Sequence, residues 1–321
     1  MRPTSNIPPT PLISFIVCTY NLPVSLLEQC LRSILSLSLS DEEREIILVD
    51  DGSEVSVLND LIELRDKLVY VRQPNGGPSD ARNRGLQMAT GRFVQFVDGD
   101  DHLIQAPYEH CLDIVRYQAD CDMVLFHHTD KELGEVPSTY NGPMTGVAYM
   151  HQNNLHSSVC GYIFRRSILG TLRFHPGILH EDEDFTPQLM LRAEHVYATT
   201  SKAYYYRQRE DSIMHRHDTP HIAKRLTDMR DIIFHLHDIA QHSPEIDRVA
   251  LNRRVAQLSM DYLYNTIQLT HSHHHLMEAV GSLRQKGLFP LSDKDYTRKY
   301  AAFRRLVNTA VGRRLLLLTI R

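Results

Sequence analysis

PNGGPSDARNRGLQMATGRFVQFVDGDD, residues 74–101, carries the punctuation that decides the fold. Pro74–Pro78 is a Gly-rich break, Ser79–Met88 reads as a helix, and Gly91 ends that helix and launches the strand Phe93–Val97. The strand runs straight into Asp98-Gly99-Asp100-Asp101. Upstream the same grammar repeats. Ile13–Cys18 is a nearly continuous apolar run, suited to a strand buried on both faces, and Leu26, Leu27, Cys30, Leu31, Ile34 and Leu35 then recur at helical spacing. Glu45–Val49 is a second strand, Val55–Arg65 a predicted helix, and Leu68–Arg72 a third strand. Downstream, a helix over Pro107–Gln118 leads to a strand at Met123–Phe126. Repeated β-α-β units of this length predict an α/β fold with a mainly parallel central sheet flanked by helices.

Composition narrows the classes. The chain has 321 residues, 42% hydrophobic and 23% charged, which is room for one large α/β domain and an addition. A formal net charge of −4 argues against a protein built around nucleic-acid phosphates. Five cysteines, an odd number without CxxC spacing, read as reduced core residues of a cytoplasmic protein. Residues 1–11 are rich in Pro and Thr and read as a disordered tail, without a signal peptide's apolar stretch. Asp130–Met150 reads as loops and short strands. Past His217 the steps of four and three at Ile222, Leu226, Met229, Ile233 and Leu236 predict helices, so the expected division is 1–11, 12–218 and a C-terminal helical region 219–321.

In an open parallel sheet, ligands bind beyond the carboxyl ends of the strands. Those ends are Thr19-Tyr20-Asn21, Asp50-Asp51-Gly52-Ser53 and Asp98-Gly99-Asp100-Asp101. A single Asp/Gly-rich turn after a strand is ordinary turn chemistry. Three of them at one edge of one sheet predict a site. Carboxylates packed as in the third turn repel one another, and a hard divalent cation, Mg²⁺ or Mn²⁺, relieves that repulsion while binding substrate phosphates. There is no GxxxxGK[ST] and no GxGxxG, so the glycines of Asn75-Gly76-Gly77 serve the turn, and a dinucleotide enzyme is disfavoured.

ISFIVCTYNLPVSLLEQCLRSIL (13–35), EIILVDDGS (45–53) and the block at 74–101 together resemble the family 2 glycosyltransferases of the GT-A fold, of the inverting, bacterial surface-polysaccharide type. The resemblance is dense over residues 12–130 and thinner to about 215. It implies a nucleotide-diphosphate sugar donor, a UDP-sugar foremost, and a saccharide or lipid-linked saccharide acceptor. It also implies that Thr19, Tyr20 and Asn21 line the nucleotide pocket, that Asp51 takes the base or ribose and Asp98 the ribose, that Asp100 binds the metal, and that Arg82 and Asn83 lie on the donor side.

His180-Glu181-Asp182-Glu183-Asp184-Phe185 resembles the same family's ED-x-x-F motif, which makes Asp182 the base, Glu181 its neighbour and Asp184 the rival. An acid-rich start is also what a helix N-terminus favours on its own. Cys160-Gly161-Tyr162 resembles the acceptor-side segment, and with no Trp in the chain acceptor stacking falls to Tyr162. Tyr206–His215 resembles the closing loop, in which Arg207 and Arg209 offset the diphosphate and His215 completes the metal shell. A sugar-1-phosphate nucleotidyltransferase wants a Gly-rich basic loop after the first strand, and Thr19–Pro23 has neither feature. A catalytically inactive nucleotide-sugar-binding protein is the other alternative. His271-Ser272-His273-His274-His275 reads as a solvated turn.

The C-terminal stretch suggests a location. Ser292–Arg321 carries eight basic and two acidic side chains, with Tyr300, Phe303, Leu306, Val307 and Val311 near helical spacing and Leu315–Leu318 apolar. Such a segment suits peripheral contact with the inner face of the plasma membrane, or packing of its apolar side on the rest of the protein.

Overall fold

The computed structural model describes residues 10–131, 139–208 and 218–320. The chain forms β1 (Ile13–Thr19), α1 (Val24–Leu35), β2 (Arg44–Asp50), β3 (Val69–Arg72), α2 (Pro78–Met88), β4 (Phe93–Asp98), β5 (His102–Leu103), α3 (Gln105–Tyr117) and β6 (Met123–Thr129). β7 (Tyr140–Met144), α4 (Gly146–Gln152), β8 (Tyr162–Arg165), α5 (Glu181–Met190) and β9 (Val196–Tyr205) follow. The helices α6 (Thr219–Gln241), α7 (Glu245–Thr270), α8 (His273–Gln285), α9 (Arg298–Val307) and α10 (Ala310–Thr319) complete it.

Two compact units emerge. The first takes the chain to Gly146, then His156–Gly177 and the stretch from Gln188 through β9. The second takes Val147–Leu155, Ile178–Pro187 and the helices from α6 onward. A boundary near residue 218 therefore misses two excursions of the chain into the helical unit.

The first unit holds one sheet in the order β3-β2-β1-β4-β8-β6-β9-β5, with β7 on β9. β3, β2, β1 and β4 run parallel, as the β-α-β grammar demands. Beyond β4 the sheet is mixed, because β8 is antiparallel to both β4 and β6 while β9 is parallel to β6. Ile13, Phe15, Ile16 and Val17 of β1, Ile47, Leu48 and Val49 of β2, and Phe93 and Val94 of β4 are all fully buried, which explains their unbroken apolar runs. Leu27, Cys30, Leu31 and Ile34 form the inward stripe of α1. The helix predicted at Val55–Arg65 is absent. In its place are single 3₁₀ turns at Val57–Asn59 and Arg65–Lys67. Val57, Leu61 and Leu64 do turn inward at helical spacing, but Val55 and Ile62 stay exposed. So short a segment has too little apolar face to offset helix nucleation.

In the second unit, Asp218 caps α6 by accepting from the His221 N–H, and Pro220 occupies the first turn. Met229, Ile232, Ile233 and Leu236 of α6 share one core with Val255, Leu258, Leu263 and Ile267 of α7, Leu276, Val280 and Leu283 of α8, and Tyr300, Phe303 and Val307 of α9. The apolar stripe expected across Tyr300–Val311 is thus mostly core. The exposed stripe lies one helix further on, at Val311, Leu315 and Leu318 of α10.

Gly85 sets the approach of α2 to the sheet, since a Cβ there would stand 2.2 Å from Cγ2 of Ile16. Gly85→Ala is expected to lower stability by about 1–3 kcal/mol through overpacking, measured as a shift in urea midpoint at unchanged slope.

Candidate functional site

The register of three strands assembles the site. Thr19 lies opposite Asp50 in the β1–β2 pair, and Cys18 opposite Asp98 in the β1–β4 pair, so the three polar strand ends line one edge. Asn21 takes a left-handed conformation, φ 48°, and ties the first end to the second. Its N–H donates to Ser53 Oγ at 3.0 Å, and its Oδ1 accepts from the Glu54 N–H at 2.8 Å. Tyr20 beside it is 50% exposed, while Thr19 Oγ1 is buried without a hydrogen-bond partner among the described residues.

At the second strand end the carboxylates are consumed by the turn itself. Asp50 accepts from the Ser53 N–H at 2.9 Å and from the Tyr70 hydroxyl at 2.8 Å. Asp51, 4% exposed, accepts from Gln73 Nε2 at 2.8 Å, the Gly76 N–H at 3.0 Å, the Gly77 N–H at 2.8 Å and Asn75 Nδ2 at 3.3 Å. Those four donors use the capacity of a carboxylate, so Asp51 braces the Gly-rich turn in this conformation. Gln73 and Asn75 were not singled out from sequence, because only the folded turn shows what they hold. Gly77 supplies the φ of 85° that the turn requires.

The third end divides its acids. Asp98 and Asp100 are partly exposed, and Asp101 is 2% exposed. Asp98 accepts from Arg82 Nη2 at 3.1 Å. Asp101 accepts from the Tyr204 hydroxyl at 2.7 Å and from the Arg207 N–H at 2.8 Å. The same Tyr204 oxygen accepts from the Asp98 N–H at 3.1 Å. Burial, followed by the charge of Asp98, pushes the Asp101 carboxyl up to about 8, with the Arg207 N–H and Tyr204 pulling the other way and Asp100 adding to the rise. Arg207 folds over the turn, donating from Nε to the Asp100 carbonyl at 2.9 Å and from Nη2 to Gln29 at 2.7 Å. Asp98 and Asp100 are hard oxygen donors beside a buried acid, a concentration of negative charge that suits a divalent cation completing its shell with water and phosphate oxygens.

Other expected residues take different places. Asn83 clips the backbone of Phe174 with both ends of its amide, at 2.9 Å each way, so its present work is bracing. Arg82 lies 5.7 Å from the centre of the Phe174 ring. Tyr162 corrects an expectation. It is 1% exposed within β8 and packs on Phe164, so it has no open face on which a sugar could stack. Arg209 and His215 lie outside the described residues. Among the described residues, three potential metal ligands come close together only at His274, His275 and Glu278, all exposed at the start of α8, where the helix dipole opposes a cation.

In the second unit, α5 opens on Glu181-Asp182-Glu183-Asp184. Asp184 is 5% exposed and bonded to His235 Nδ1 at 2.6 Å, and Glu183 pairs with Arg254. Asp182 stays partly exposed. The Asp184 hydrogen bond holds the His235 imidazolium above its ordinary value, with the Asp184 and Asp238 charges adding and burial opposing.

The model of the family described as Glycosyl transferase family 2 matches residues 14–173. The chain is 30% identical over 220 residues to the Bacillus subtilis glycosyltransferase EpsJ, a match spanning 63% of each protein and so less than two thirds of the relative. It is 31% identical over 184 residues to a Haemophilus influenzae glycosyltransferase, spanning 54% of this chain and 70% of that one. Among solved structures, S. aureus TarS 1–349 in complex with UDP-GlcNAc aligns with a TM-score of 0.60 at 21% identity, covering 92% of this chain and 90% of that one. The last likeness speaks for the fold.

A histidine raised in the folded chain stabilises it fully below its unfolded value of about 6.5, and that contribution is lost as the pH rises through the folded value. Asp184→Asn is therefore expected to cost more near pH 6 than near pH 8.5, with the pH-dependent part held to about 0.5 kcal/mol because solvent screens the half-exposed imidazole. Urea denaturation at the two pH values measures it, and an equal loss at both would remove the ionic part of the pair.

Proposed function

The chain belongs to glycosyl transferase family 2, and from that membership and its site we propose that it moves a sugar from a nucleotide-diphosphate donor to an acceptor hydroxyl. The carrying observation is the register that lines Thr19, Asp50 and Asp98 along one sheet edge with Asp98 and Asp100 partly open. A uridine nucleotide is the favoured donor, and the acceptor belongs to a growing bacterial surface polysaccharide or glycolipid. Thr19, Tyr20 and Asn21 line the nucleotide, with Tyr20 and Asn21 exposed. Asp100, with Asp98 beside it toward the ribose, would hold Mn²⁺ or Mg²⁺, whose charge would support departure of the nucleoside diphosphate. Asp182 takes the proton of the acceptor hydroxyl as that oxygen attacks the anomeric carbon from the face opposite the leaving group, which inverts the configuration. The burial of Asp184, beside a partly exposed Asp182, supports Asp182 over its neighbour.

Two substitutions separate these roles. Asp100→Ala is expected to abolish metal-dependent binding of UDP-sugars with the fold intact. Asp182→Asn should keep donor affinity within a few fold while lowering transfer by about 10²–10⁴. Calorimetric donor binding with and without Mn²⁺, beside initial rates, measures both. Wild-type metal-dependent binding in Asp100→Ala sinks the metal assignment, and a retained anomeric configuration sinks single displacement.

We also propose peripheral contact with an anionic membrane through α10. No helix among the described residues is long and apolar enough to cross a bilayer. Val311, Leu315 and Leu318, spaced to share one face, are 71%, 48% and 79% exposed, and Arg314, Arg305, Arg298 and Lys299 are exposed on α10 and α9. Apolar side chains rimmed by cations fit a negatively charged lipid surface, each cation contributing about 1 kcal/mol. Removing α9 would gut the helical core, so point changes are the fair test. The full chain should pellet with phosphatidylglycerol vesicles at low salt and release at high salt, and Leu315→Asp/Leu318→Asp should stay in solution. Equal pelleting of the two proteins would refute the contact.

A further inference from the structure

Buried polar atoms in native proteins almost always have partners, so clustered exceptions point to a missing one. In the second unit, His180 Nε2, His221 Nε2 and Arg225 Nε are buried with no hydrogen-bond partner among the described residues. Arg253, Arg254 and Arg304 also have an unpartnered Nε, but each bonds through its other nitrogens. Arg225 makes no hydrogen bond or ion pair with any described residue. Burial alone shifts its guanidinium down from the ordinary value.

The topology brings the three together. His221 and Arg225 are four residues apart on α6 and share one of its faces. Asp228, three residues further along the same face, accepts from the Leu179 N–H at 2.8 Å, which lays the segment carrying His180 against α6. Burial lowers the His180 pKa, the Arg225 charge lowers it further, and Glu183, Glu181 and Asp228 act in the opposite sense. Three of the neighbouring acids have cations of their own. Asp228 pairs with Lys224 at 2.7 Å, Glu183 with Arg254, and Asp184 with His235. What is left is a partly desolvated guanidinium with two imidazole nitrogens and no anion bonded to them among the described residues. An unpaired charge in that setting is costly, and a planar guanidinium matches the two oxygens of a phosphate or carboxylate.

We propose that His180, His221 and Arg225 form a subsite for an oxyanion carried by the acceptor, either a phosphate diester or a sugar carboxylate. This rests on the glycosyltransferase reading above for the word acceptor, since His180 lies two residues before Asp182. The subsite recognises the charge of the growing chain, and the reacting hydroxyl belongs to the sugar or polyol bearing it.

Isothermal titration calorimetry on the full chain tests this with four probes: a glycoside bearing a phosphate diester, one bearing a carboxylate, the neutral parent glycoside, and inorganic phosphate. The wild type should bind at least one charged glycoside tenfold or more tighter than the neutral one. Arg225→Gln should erase that preference, Arg225→Lys should keep part of it, and UDP affinity should stay within twofold in both variants. Circular dichroism establishes that the variants are folded. No preference in the wild type, or an intact preference in Arg225→Gln, overturns the subsite. Inorganic phosphate binding as tightly as the charged glycosides overturns its assignment to an acceptor. Failure of the wild type to bind UDP would instead count against the glycosyltransferase reading, because the charged and neutral probes still report on the cluster.

Discussion

β1 is hydrogen-bonded along both edges, to β2 with Thr19 opposite Asp50 and to β4 with Cys18 opposite Asp98. Its apolar side chains leave no exposed surface on either face of the sheet. A slip of one residue would turn every side chain of the strand over and draw Ser14 and Thr19 away from their neighbours, so the register is strongly specified. Everything at the strand ends inherits that specification. Asn21 can bridge to Ser53 and Glu54, and the Gly99 N–H can reach the Cys18 carbonyl at 3.0 Å, because the strands stop level with one another.

A level edge crowded with acids raises an electrostatic problem that the turns solve unequally. Asp50 and Asp51 are neutralised locally by N–H and hydroxyl donors, at a burial where an unpaired carboxylate would be prohibitive. Asp101 has two donors as well, yet burial and the facing acids still hold its carboxyl near 8. Asp98 and Asp100 stay partly exposed, with Arg82 on the Asp98 carboxylate and Arg207 on the Asp100 carbonyl. The braced acids are thus the framework, and Asp98 and Asp100 are the part of the acidic edge that solvent reaches.

This division explains which features were legible in the sequence. Strand ends, helix starts and the acidic turn are local patterns, and β1 through β4 appear in the structure as the alternation implies. Val55–Arg65 carried a helical spacing without a helical face, and only the exposure of Val55 and Ile62 distinguishes the two. The antiparallel insertion of β8 between β4 and β6 depends on pairing across about forty to seventy residues, which no local period encodes. Tyr162 failed as a stacking residue for the same reason, since its strand runs through the middle of the sheet. The bracing roles of Asp51 and Asn83 are tertiary too. Their partners at Gly76, Gly77 and Phe174 exist only once the turn and the loop have closed.

The helical region read as an addition, but the second unit is more than that. Ile178–Pro187, with the whole ED segment, is built into it. Four consecutive acids at a helix start repel one another, and the helix dipole offsets only part of that repulsion. His235 of α6 and Arg254 of α7 take Asp184 and Glu183, and Asp228 pins the Leu179 backbone just upstream. Partners fifty to seventy residues away in sequence therefore decide how Asp184 and Glu183 are held. Asp184 is buried against an imidazole and Glu183 is paired with a guanidinium, while Asp182 is partly exposed. The helices that follow the ED segment in sequence are what make its residues chemically unequal.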